Sequence, residues 1–262
     1  MLIGITERGD AGRDLSWLPK LKQNGLDGVI LITKSADLPD FQQALLSAHN
    51  ITQTILHATI TGWGGTAMEP NVSDVDTVID SLRTLIQSGY PAERIVLRVD
   101  PVIPTDEGIA RACNVLSIAR TRLPDIHRIR ISIYDDYHKA REEMLRRGYP
   151  AIDTMQKWKN EMERRPSDDQ IMAVGYALAQ TRPDIQYECC AEPELVEKFP
   201  ANFSAIGCVS AKDLSIMNLP QPSQTLQNMQ HRFGCLCLSA KRELLTNKRR
   251  CANNCAYCYW GV

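Results

Sequence analysis

Residues 54–99, TILHATITGWGGTAMEPNVSDVDTVIDSLRTLIQSGYPAERIVLRV, contain the pattern that decides the fold. The runs Thr54–Ile60 and Ile95–Val99 are rich in β-branched and apolar residues, which favours buried strands. Between them, Val75–Gln87 has a helical apolar period and ends at Ser88-Gly89, a common helix stop. This order predicts a β-α-β unit, because parallel strands need a long crossover connection.

The same alternation extends over most of the chain. Further strands are predicted at Leu2–Thr6, Val29–Thr33, Ile129–Ile133, Ile185–Glu188 and, more weakly, Ala205–Val209. Further helices are predicted at Leu15–Gln23, Phe41–His49, Ile109–Arg122, Lys139–Arg147, around Trp158, and from a cap at Ser167 through Gln180. Six or seven parallel strands with crossover helices predict an α/β fold, a partial or complete (β/α) barrel.

Length and composition restrict the class of protein. The chain has 262 residues, 44% of them apolar, which suits one hydrophobic core. Thirty basic and thirty-one acidic residues give a net charge of −1, so no global field favours nucleic acid or an anionic membrane. Without a signal-peptide pattern or a membrane-spanning run, we expect a cytoplasmic protein with no membrane partner. In a reducing compartment the nine cysteines are expected to be ligands or core residues.

Polar residues cluster directly after the predicted strands. They lie at Glu7–Asp10, Thr33-Lys34, Thr61–Glu69, Asp100 and Tyr134–Lys139. The carboxyl ends of parallel strands meet at one rim, where binding and catalytic groups collect, so this rim is the predicted site. Ordinary polar loops would give the same pattern, and position alone leaves both interpretations open.

The sequence ends in CANNCAYCYWGV, residues 251–262, in which Cys251, Cys255 and Cys258 are spaced C-x3-C-x2-C. Three thiolates are one fewer than a closed structural zinc site uses. The spacing therefore predicts a metal site with one coordination position not filled by the protein. The alternative is a zinc site completed by a ligand from elsewhere, such as Cys235, Cys237 or His231.

A second set of cysteines predicts a separate, closed metal site. Its members are Cys190, Cys208, Cys235 and Cys237, with Cys189 as a possible substitute ligand. Four thiolates could hold a second 4Fe-4S cluster or a structural zinc ion. The alternative is that Cys189, Cys190 and Cys208 are small core residues, as we expect for Cys113 in its apolar helix.

The C-x3-C-x2-C run, with Tyr257 directly before the third thiol, resembles the signature of the radical S-adenosylmethionine superfamily. The resemblance implies that the thiolates bind three irons of a 4Fe-4S cluster and that S-adenosylmethionine occupies the fourth. It also implies reductive cleavage of this cofactor to a 5′-deoxyadenosyl radical that abstracts hydrogen from a substrate. The superfamily usually carries the motif after its first strand, so its place at the end of this chain implies a permuted barrel.

Segments along the whole chain resemble one family, domain of unknown function 1848, which combines a C-terminal cysteine motif of this kind with a barrel-like chain. The matching residues are Arg8, Asp10, Thr33-Lys34, Thr59–Gly64, Glu69-Pro70, Arg98, Asp100-Pro101, Ile103, Ser132, Tyr137, Lys139, Cys190–Glu192, Cys208, Gly234–Cys237, Ser239, Cys251, Cys255 and Tyr257–Tyr259.

This chain departs from the family pattern in two places. It reads Arg8-Gly9-Asp10-Ala11-Gly12 where the family continues Arg-Thr-Asp-Ile-Pro, and Ala240–Arg250 lacks the family's Asp-Ile-Gly. Substrate contacts can therefore differ from those of other members. The family has no assigned activity, so the resemblance supports a fold and a cofactor but names no substrate.

Two groups of rim residues are predicted to bind the cofactor. The loop TGWGGTAMEP, residues 61–70, could hold the methionine or adenosine part with Gly62, Gly64 and Gly65, and Glu69 could accept from the cofactor ammonium. Alternatively the loop is a tight turn with Trp63 packed inward. Arg98 and Asp100 lie on the same side of one strand and could bind ribose and carboxylate, or form a structural ion pair.

Three further rim residues are catalytic candidates: Lys34, Tyr137 and Lys139 could bind an anionic substrate or donate a proton or hydrogen atom. The cations Lys241, Arg242 and Lys248–Arg250 could meet the phosphate of a nucleotide or nucleic acid. For both groups the alternative is an ordinary solvated surface.

The leading hypothesis is a radical S-adenosylmethionine enzyme on a permuted (β/α) barrel, served by an electron donor such as flavodoxin or ferredoxin, with an unknown substrate. Residues 1–188 would form the barrel core, and residues 189–262 would complete it and carry the cluster sites. The rivals are a zinc-stabilised binding protein and an iron–sulfur electron-transfer or redox-sensing protein. Only the enzyme needs a cluster iron that S-adenosylmethionine can reach.

Overall fold

The computed structural model describes residues 1–23, 25–152, 155–158, 163–221, 236–238, 240–245 and 251–258. The strands within these ranges are β1 (Leu2–Ile5), β2 (Gly28–Thr33), β3 (Gln53–Thr59), β4 (Ile95–Val102), β5 (Ile129–Ile133), β6 (Asp136–Tyr137), β7 (Gln156–Trp158), β8 (Glu163–Arg165), β9 (Tyr187–Cys189), β10 (Phe203–Ala205) and β11 (Ala240–Glu243).

Helices occupy most of the connections between the strands. They are α1 (Lys20–Gln23), α2 (Pro39–His49), α3 (Val75–Gln87), α4 (Asp106–Arg122), α5 (His138–Arg146), α6 (Asp168–Thr181), α7 (Pro193–Lys198) and α8 (Ala211–Ile216), with short 3-10 turns at Leu15–Trp17 and Ala92–Arg94. In the described part of the chain, none of them combines the length and the apolar character needed to cross a bilayer.

Eight strands form one parallel sheet, in the order β10-β9-β5-β4-β3-β2-β1-β11. The predicted α/β alternation is therefore confirmed. The register aligns the carboxyl ends of neighbouring strands, with Leu31 of β2 opposite Leu56 of β3 and Arg98 of β4 opposite Arg130 of β5. The late strand β11 pairs with β1, which brings the end of the chain beside its beginning.

The edge strands β10 and β11 are not paired with each other among the described residues, so closure into a barrel stays a prediction. The segments next to the two edges do approach one another. Leu238 N, just before β11, donates to Val209 O, just after β10, at 2.9 Å.

Both faces of the sheet are buried, as is usual for parallel sheets. One face, with Leu31, Leu56 and Leu97, packs against buried residues of α2, α3, α4 and α6. The opposite face, here called the inner face, carries Ile3, Ile5, Ile30, Ile55 and Val96 and is covered by Val209, Leu214 and Met217. Alternation along the strands also places Arg98 and Arg130 on this face.

The helix predicted around Trp158 is wrong. Residues Gln156–Trp158 form β7, which pairs antiparallel with β8, and β8 pairs with β6 in a separate three-stranded sheet. Aromatic side chains favour strands when a partner strand is available, and such pairing overrides a weak helical pattern. The predicted strand Ala205–Val209 is also displaced, since β10 covers Phe203–Ala205.

Candidate metal centre at the strand ends

Residues 251–258, here called the cysteine loop, lie against the segments that follow β1, β2 and β3. A buried amide makes the first anchor: Asn253 Nδ2 donates to Asp10 Oδ2 at 2.6 Å. Asn253 Oδ1 accepts from Ser35 Oγ at 3.0 Å and from Arg13 Nε at 3.2 Å. Both Asn253 and Asp10 are almost fully buried. The loop is therefore held by a side chain that is not a cysteine.

Asp10 is itself fixed by the ends of two strands. Its carboxylate accepts from Gly12 N at 2.9 Å, from Thr33 Oγ1 at 2.6 Å and from Lys34 N at 2.7 Å. Several N–H and O–H donors can satisfy a buried carboxylate, which would otherwise be costly to desolvate. Asp10 thus connects the cysteine loop to the ends of β1 and β2.

A second anchor lies at Glu69, which is only 1% exposed. Its carboxylate accepts hydrogen bonds from the Tyr257 hydroxyl and, at 2.7 Å, from Thr61 Oγ1. Lys34 Nζ lies 2.9 Å from Glu69 Oε1 and 5.3 Å from the centre of the Tyr257 ring. Residues after β2, after β3 and in the cysteine loop therefore meet at one carboxylate.

Three further hydrogen bonds fix the backbone of the cysteine loop. Ala256 N donates to Met68 O at 2.8 Å, and Asn71 Nδ2 donates to Ala252 O at 2.7 Å. Arg147, just after α5, donates through Nη1 to Asn254 O at 2.8 Å. Asn254 has a φ of 53°, a left-handed conformation that asparagine tolerates better than most residues.

The three thiols of the loop are not used as anchors. All of them are free, Cys255 is buried, and Cys251 and Cys258 are partly exposed. Burial raises the pKa of Cys251 and the pKa of Cys255, and at Cys255 the charge of Lys34 opposes this rise. The thiols of Cys251 and Cys255 are therefore neutral near pH 7, and binding a metal would release their protons.

Apolar side chains cover the cysteine loop on one side. Cys255, Ala256 and Tyr257 pack in a cluster with Trp63, Met68, Val72, Ile103, Tyr134, Met144, Ile152 and Met155. Such a cover limits access of solvent, which is one way in which a protein tunes a metal group.

The described part of the chain contains no group of three or more His, Cys, Asp or Glu side chains arranged to hold a metal ion. A four-iron cluster needs a different ligand geometry, because each thiolate binds its own iron and the ligands stand further apart than around a single ion.

Lys34 Nζ is buried without a hydrogen-bond partner of suitable geometry in the described residues. Its contact with Glu69 is therefore ionic, and its N–H groups remain available to an acceptor.

The glycine-rich loop after β3 is a tight turn with Trp63 packed inward, as the alternative interpretation expected. Trp63 is buried and lies under Arg111, whose guanidinium is 4.3 Å from the ring centre. A Cβ on Gly64 would lie 1.9 Å from Ser73 O. Gly62 and Gly65 have φ values of 86° and 76°. These glycines serve the turn, and their predicted contact with a cofactor stays a prediction.

The second set of cysteines converges after β9 and β10. Cys190 Sγ lies 3.5 Å from Cys208 Sγ. A Cβ on Gly207 would lie 2.6 Å from Cys237 N, so this glycine lets the segment of Cys237 approach Cys208. The hydrogen bond with Cys190 lowers the pKa of Cys208, but the contact with Cys237 and burial outweigh it and raise this pKa to about 11.

Two other members of the second set need separate mention. Cys235 lies outside the described residues. Cys189 packs with the helix-facing core on the other side of the sheet, because successive strand residues alternate in direction. This position removes Cys189 as a substitute ligand. Cys113, in α4, packs against the same core, as expected.

The predicted pair Arg98 and Asp100 lies beside the second set. The two side chains form an ion pair, and Ser132 Oγ donates to the Asp100 carboxylate. Burial lowers the pKa of Arg98, while the thiols of Cys208 and Cys190 act in the opposite direction. Arg98 Nε is buried without a hydrogen-bond partner in the described residues. Arg98 and Asp100 therefore belong to the Cys190–Cys208 region.

A buried ionic network underlies this region. Arg128 donates to both oxygens of Glu188, at 2.9 and 3.0 Å, and to Asp213 Oδ1 at 2.8 Å. Arg130 Nη2 donates to Glu188 Oε2 at 2.8 Å. Since Glu188 precedes Cys189 and Cys190, and Asp213 lies in α8 just after Cys208, the network ties together the two chain segments that carry the thiols.

The remaining candidates belong to other elements of the fold. Tyr137 is half-buried in β6, and Lys139 is exposed in the first turn of α5. Lys241, in β11, pairs with Glu7 at 2.9 Å, so it is not a solvated cation. The predicted residues Lys248–Arg250 and His231 lie outside the described residues.

Sequence reasoning missed the anchors Asn253, Arg13 and Arg147. Asn253-Asn254 inside the cysteine motif was the available signal, because asparagine both hydrogen-bonds backbone and tolerates a left-handed conformation. The two arginines gave no signal, since their partners lie 240 and 107 residues away in sequence.

The fold and the site define an α/β protein with a parallel sheet and a thiol-bearing loop held at its strand ends. The chain matches the family described as Domain of unknown function (DUF1848) over residues 17–260, and it belongs to that family. A search of curated proteins finds no match to it.

Proposed function

We propose that this protein is a radical S-adenosylmethionine enzyme in which Cys251, Cys255 and Cys258 hold a 4Fe-4S cluster. The observation that supports this proposal most is the anchoring of the cysteine loop by Asn253 and Tyr257. Because other side chains hold the loop, its thiols remain available as ligands. A structural zinc site would instead use the metal itself to hold a loop of this kind.

When bound, the cluster and S-adenosylmethionine would supply reductive cleavage of the cofactor and radical hydrogen abstraction. The protein's own residues bind, orient and shield. Asp10 and Glu69 orient the loop, and the apolar cluster around Met68 and Met155 keeps solvent from one side of it. The ammonium of Lys34 is ion-paired with Glu69, and its N–H groups could also donate to the carboxylate of the cofactor or to an anionic substrate.

We further propose that the second set of cysteines holds an auxiliary metal group, either a second 4Fe-4S cluster or zinc. The approach of Cys190, Cys208 and Cys237 supports this proposal.

The predicted roles of the other residues are part of the same proposal. The cofactor-binding candidates remain Gly62, Gly64, Gly65, Glu69, Arg98 and Asp100. Lys34, Tyr137 and Lys139 remain catalytic ones. An electron donor such as flavodoxin or ferredoxin is a required partner, and a nucleic-acid substrate stays open. A cytoplasmic location, expected from the sequence, is part of this proposal.

The test is anaerobic reconstitution with iron and sulfide, followed by electron paramagnetic resonance of the reduced protein with and without S-adenosylmethionine. Wild type should give a signal that shifts with the cofactor, together with 5′-deoxyadenosine. Cys255→Ala should lose both, and Cys113→Ala, at a core position away from the loop, should keep both.

Two results would oppose the proposal. Bound zinc that resists replacement by iron would favour the zinc-stabilised binding protein. A reducible cluster whose signal ignores S-adenosylmethionine would favour an electron-transfer or redox-sensing protein.

A further inference from the structure

Cys190 and Cys208 are in direct contact. Cys190 directly follows β9, and Cys208 lies three residues after β10, its parallel neighbour in the sheet. Their sulfur atoms are 3.5 Å apart. Both residues are partly exposed.

The distance is short enough for a covalent bond after a small movement. A disulfide needs its sulfurs about 2.05 Å apart and its α-carbons within about 7 Å. Parallel strands in register hold the two chain segments close together, as shown by Cys189 opposite Ala205. Arg128 forms salt bridges with Glu188, just before Cys190, and with Asp213, just after Cys208, and so holds the same two segments together.

The neighbouring cysteines are less suited to this reaction. Cys189 faces the opposite side of the sheet and is 0% exposed. Cys237 also contacts Cys208 but is only 2% exposed. Cys190 is therefore the partner of Cys208 that combines sulfur–sulfur contact with partial exposure of the residue.

We propose that Cys190 and Cys208 form a reversible disulfide when the second set of cysteines carries no metal. Two thiols lose two protons and two electrons, and one S–S bond forms between them. The electrons reduce a small disulfide such as oxidised glutathione, whose S–S bond breaks to give two thiols. The bond would occupy two predicted ligands of the second set. Disulfides in reducing compartments are usually transient or redox-sensing. This inference does not depend on the proposed enzymatic activity.

The experiment equilibrates full-length, metal-free protein with mixtures of reduced and oxidised glutathione, blocks free thiols by alkylation, and maps disulfides by mass spectrometry of a non-reduced tryptic digest. Trypsin separates Cys190 from Cys208 at Lys198, so a disulfide appears as two linked peptides. Fragmentation within the linked peptide distinguishes Cys190 from Cys189.

The expected result is one linkage, Cys190 to Cys208, that is absent in Cys190→Ser and present in Cys189→Ser. It should form at least about tenfold more readily in the folded protein than in urea, because the fold raises the effective concentration of the pair. Circular dichroism checks that each variant is folded.

Three results would overturn the proposal. One is a linkage that persists in Cys190→Ser. Another is a thiol–disulfide equilibrium with glutathione that is the same in urea as in the folded protein, which would mean that the short sequence separation of the two cysteines is enough to explain the bond. The third is a full set of alkylated thiols at every glutathione ratio.

Discussion

Asn253 donates from Nδ2 to Asp10 Oδ2 at 2.6 Å, and this bond joins the last described segment of the chain to the segment that follows its first strand. The contact spans 243 residues in sequence. It shows how a cysteine motif at the end of the chain reaches the carboxyl ends of strands formed near its beginning.

Replacing this amide should loosen the cysteine loop. Asn253→Ala removes a donor to a buried carboxylate, and hydrogen bonds to charged groups contribute about 1.5–3 kcal/mol. We expect a decrease of that size in the free energy of unfolding, measured with urea. Asn50→Ala, at an exposed position, should change it little. An equal loss in both variants would contradict the role of Asn253 as an anchor.

The ion pair of Lys34 and Glu69 should be strongly coupled. Glu69→Gln leaves a buried ammonium without its counter-charge, and breaking a buried pair in this way costs about 3–5 kcal/mol. Lys34→Met combined with Glu69→Gln should recover part of this loss. The measurement is a double-mutant cycle in urea, with an expected coupling energy of about 1–3 kcal/mol. Purely additive effects would mean that the two groups do not interact.

The glycine loop should tolerate alanine differently at two adjacent positions. Gly64→Ala would place Cβ 1.9 Å from a backbone oxygen, which cannot move without shifting the turn. At Gly65 a Cβ meets open space, so Gly65→Ala should lower the free energy of unfolding only through its positive φ, by about 1–2 kcal/mol. Thermal denaturation should therefore rank Gly64→Ala as clearly the less stable. If Gly65→Ala were the less stable variant, the close contact of Gly64 with Ser73 O would not be what restricts this position to glycine.

The sequence was sufficient to predict the parallel sheet because its strands and helices carry strong, local periodicity. Val75–Gln87 and Ile129–Ile133 were predicted with the bounds that the structure gives. Strand β11 was missed because its four residues, AKRE, lack apolar alternation, and their pairing with β1 joins the two ends of the chain.

The candidate site was predictable only where spacing carries the information. The C-x3-C-x2-C motif and the same-side pair Arg98 and Asp100 are both local patterns. The contact between Cys190 and Cys208, which are 18 residues apart in sequence, follows from the parallel pairing of β9 and β10. The close approach of Cys237 depends on Gly207. Residue type predicted these cysteines as one set but could not say which of them are in contact.

Glu188 should make stability depend on pH in acid. Burial alone would raise its pKa, but hydrogen bonds and charges from Arg128 and Arg130 lower it to about 2, from an ordinary value of 4.5. Because the folded pKa is the lower one, ionised Glu188 contributes stability above about pH 4.5 that is lost as the pH falls toward 2.

Glu188→Gln should therefore be less stable than wild type at pH 7, and the difference should shrink as the pH falls from about 5 to about 3. Urea denaturation across this range measures it, with Glu197→Gln, at an exposed position, as the control. A difference that is constant with pH would assign the effect of the substitution to packing instead of charge.

The two sets of cysteines should bind iron independently, because different elements position them. The cysteine loop is held by residues after β1, β2 and β3, whereas Cys190 and Cys208 follow β9 and β10. If both sets hold 4Fe-4S clusters, the reconstituted wild type should contain about eight iron atoms per chain, four for each cluster.

Cys251→Ser and Cys190→Ser should each lose about four iron atoms, from different clusters, and Cys113→Ser should lose none. Iron analysis with electron paramagnetic resonance of each variant distinguishes the two losses. Because removing a ligand from one set leaves the anchors of the other intact, loss of all iron from a single substitution would mean that the two sets form one site.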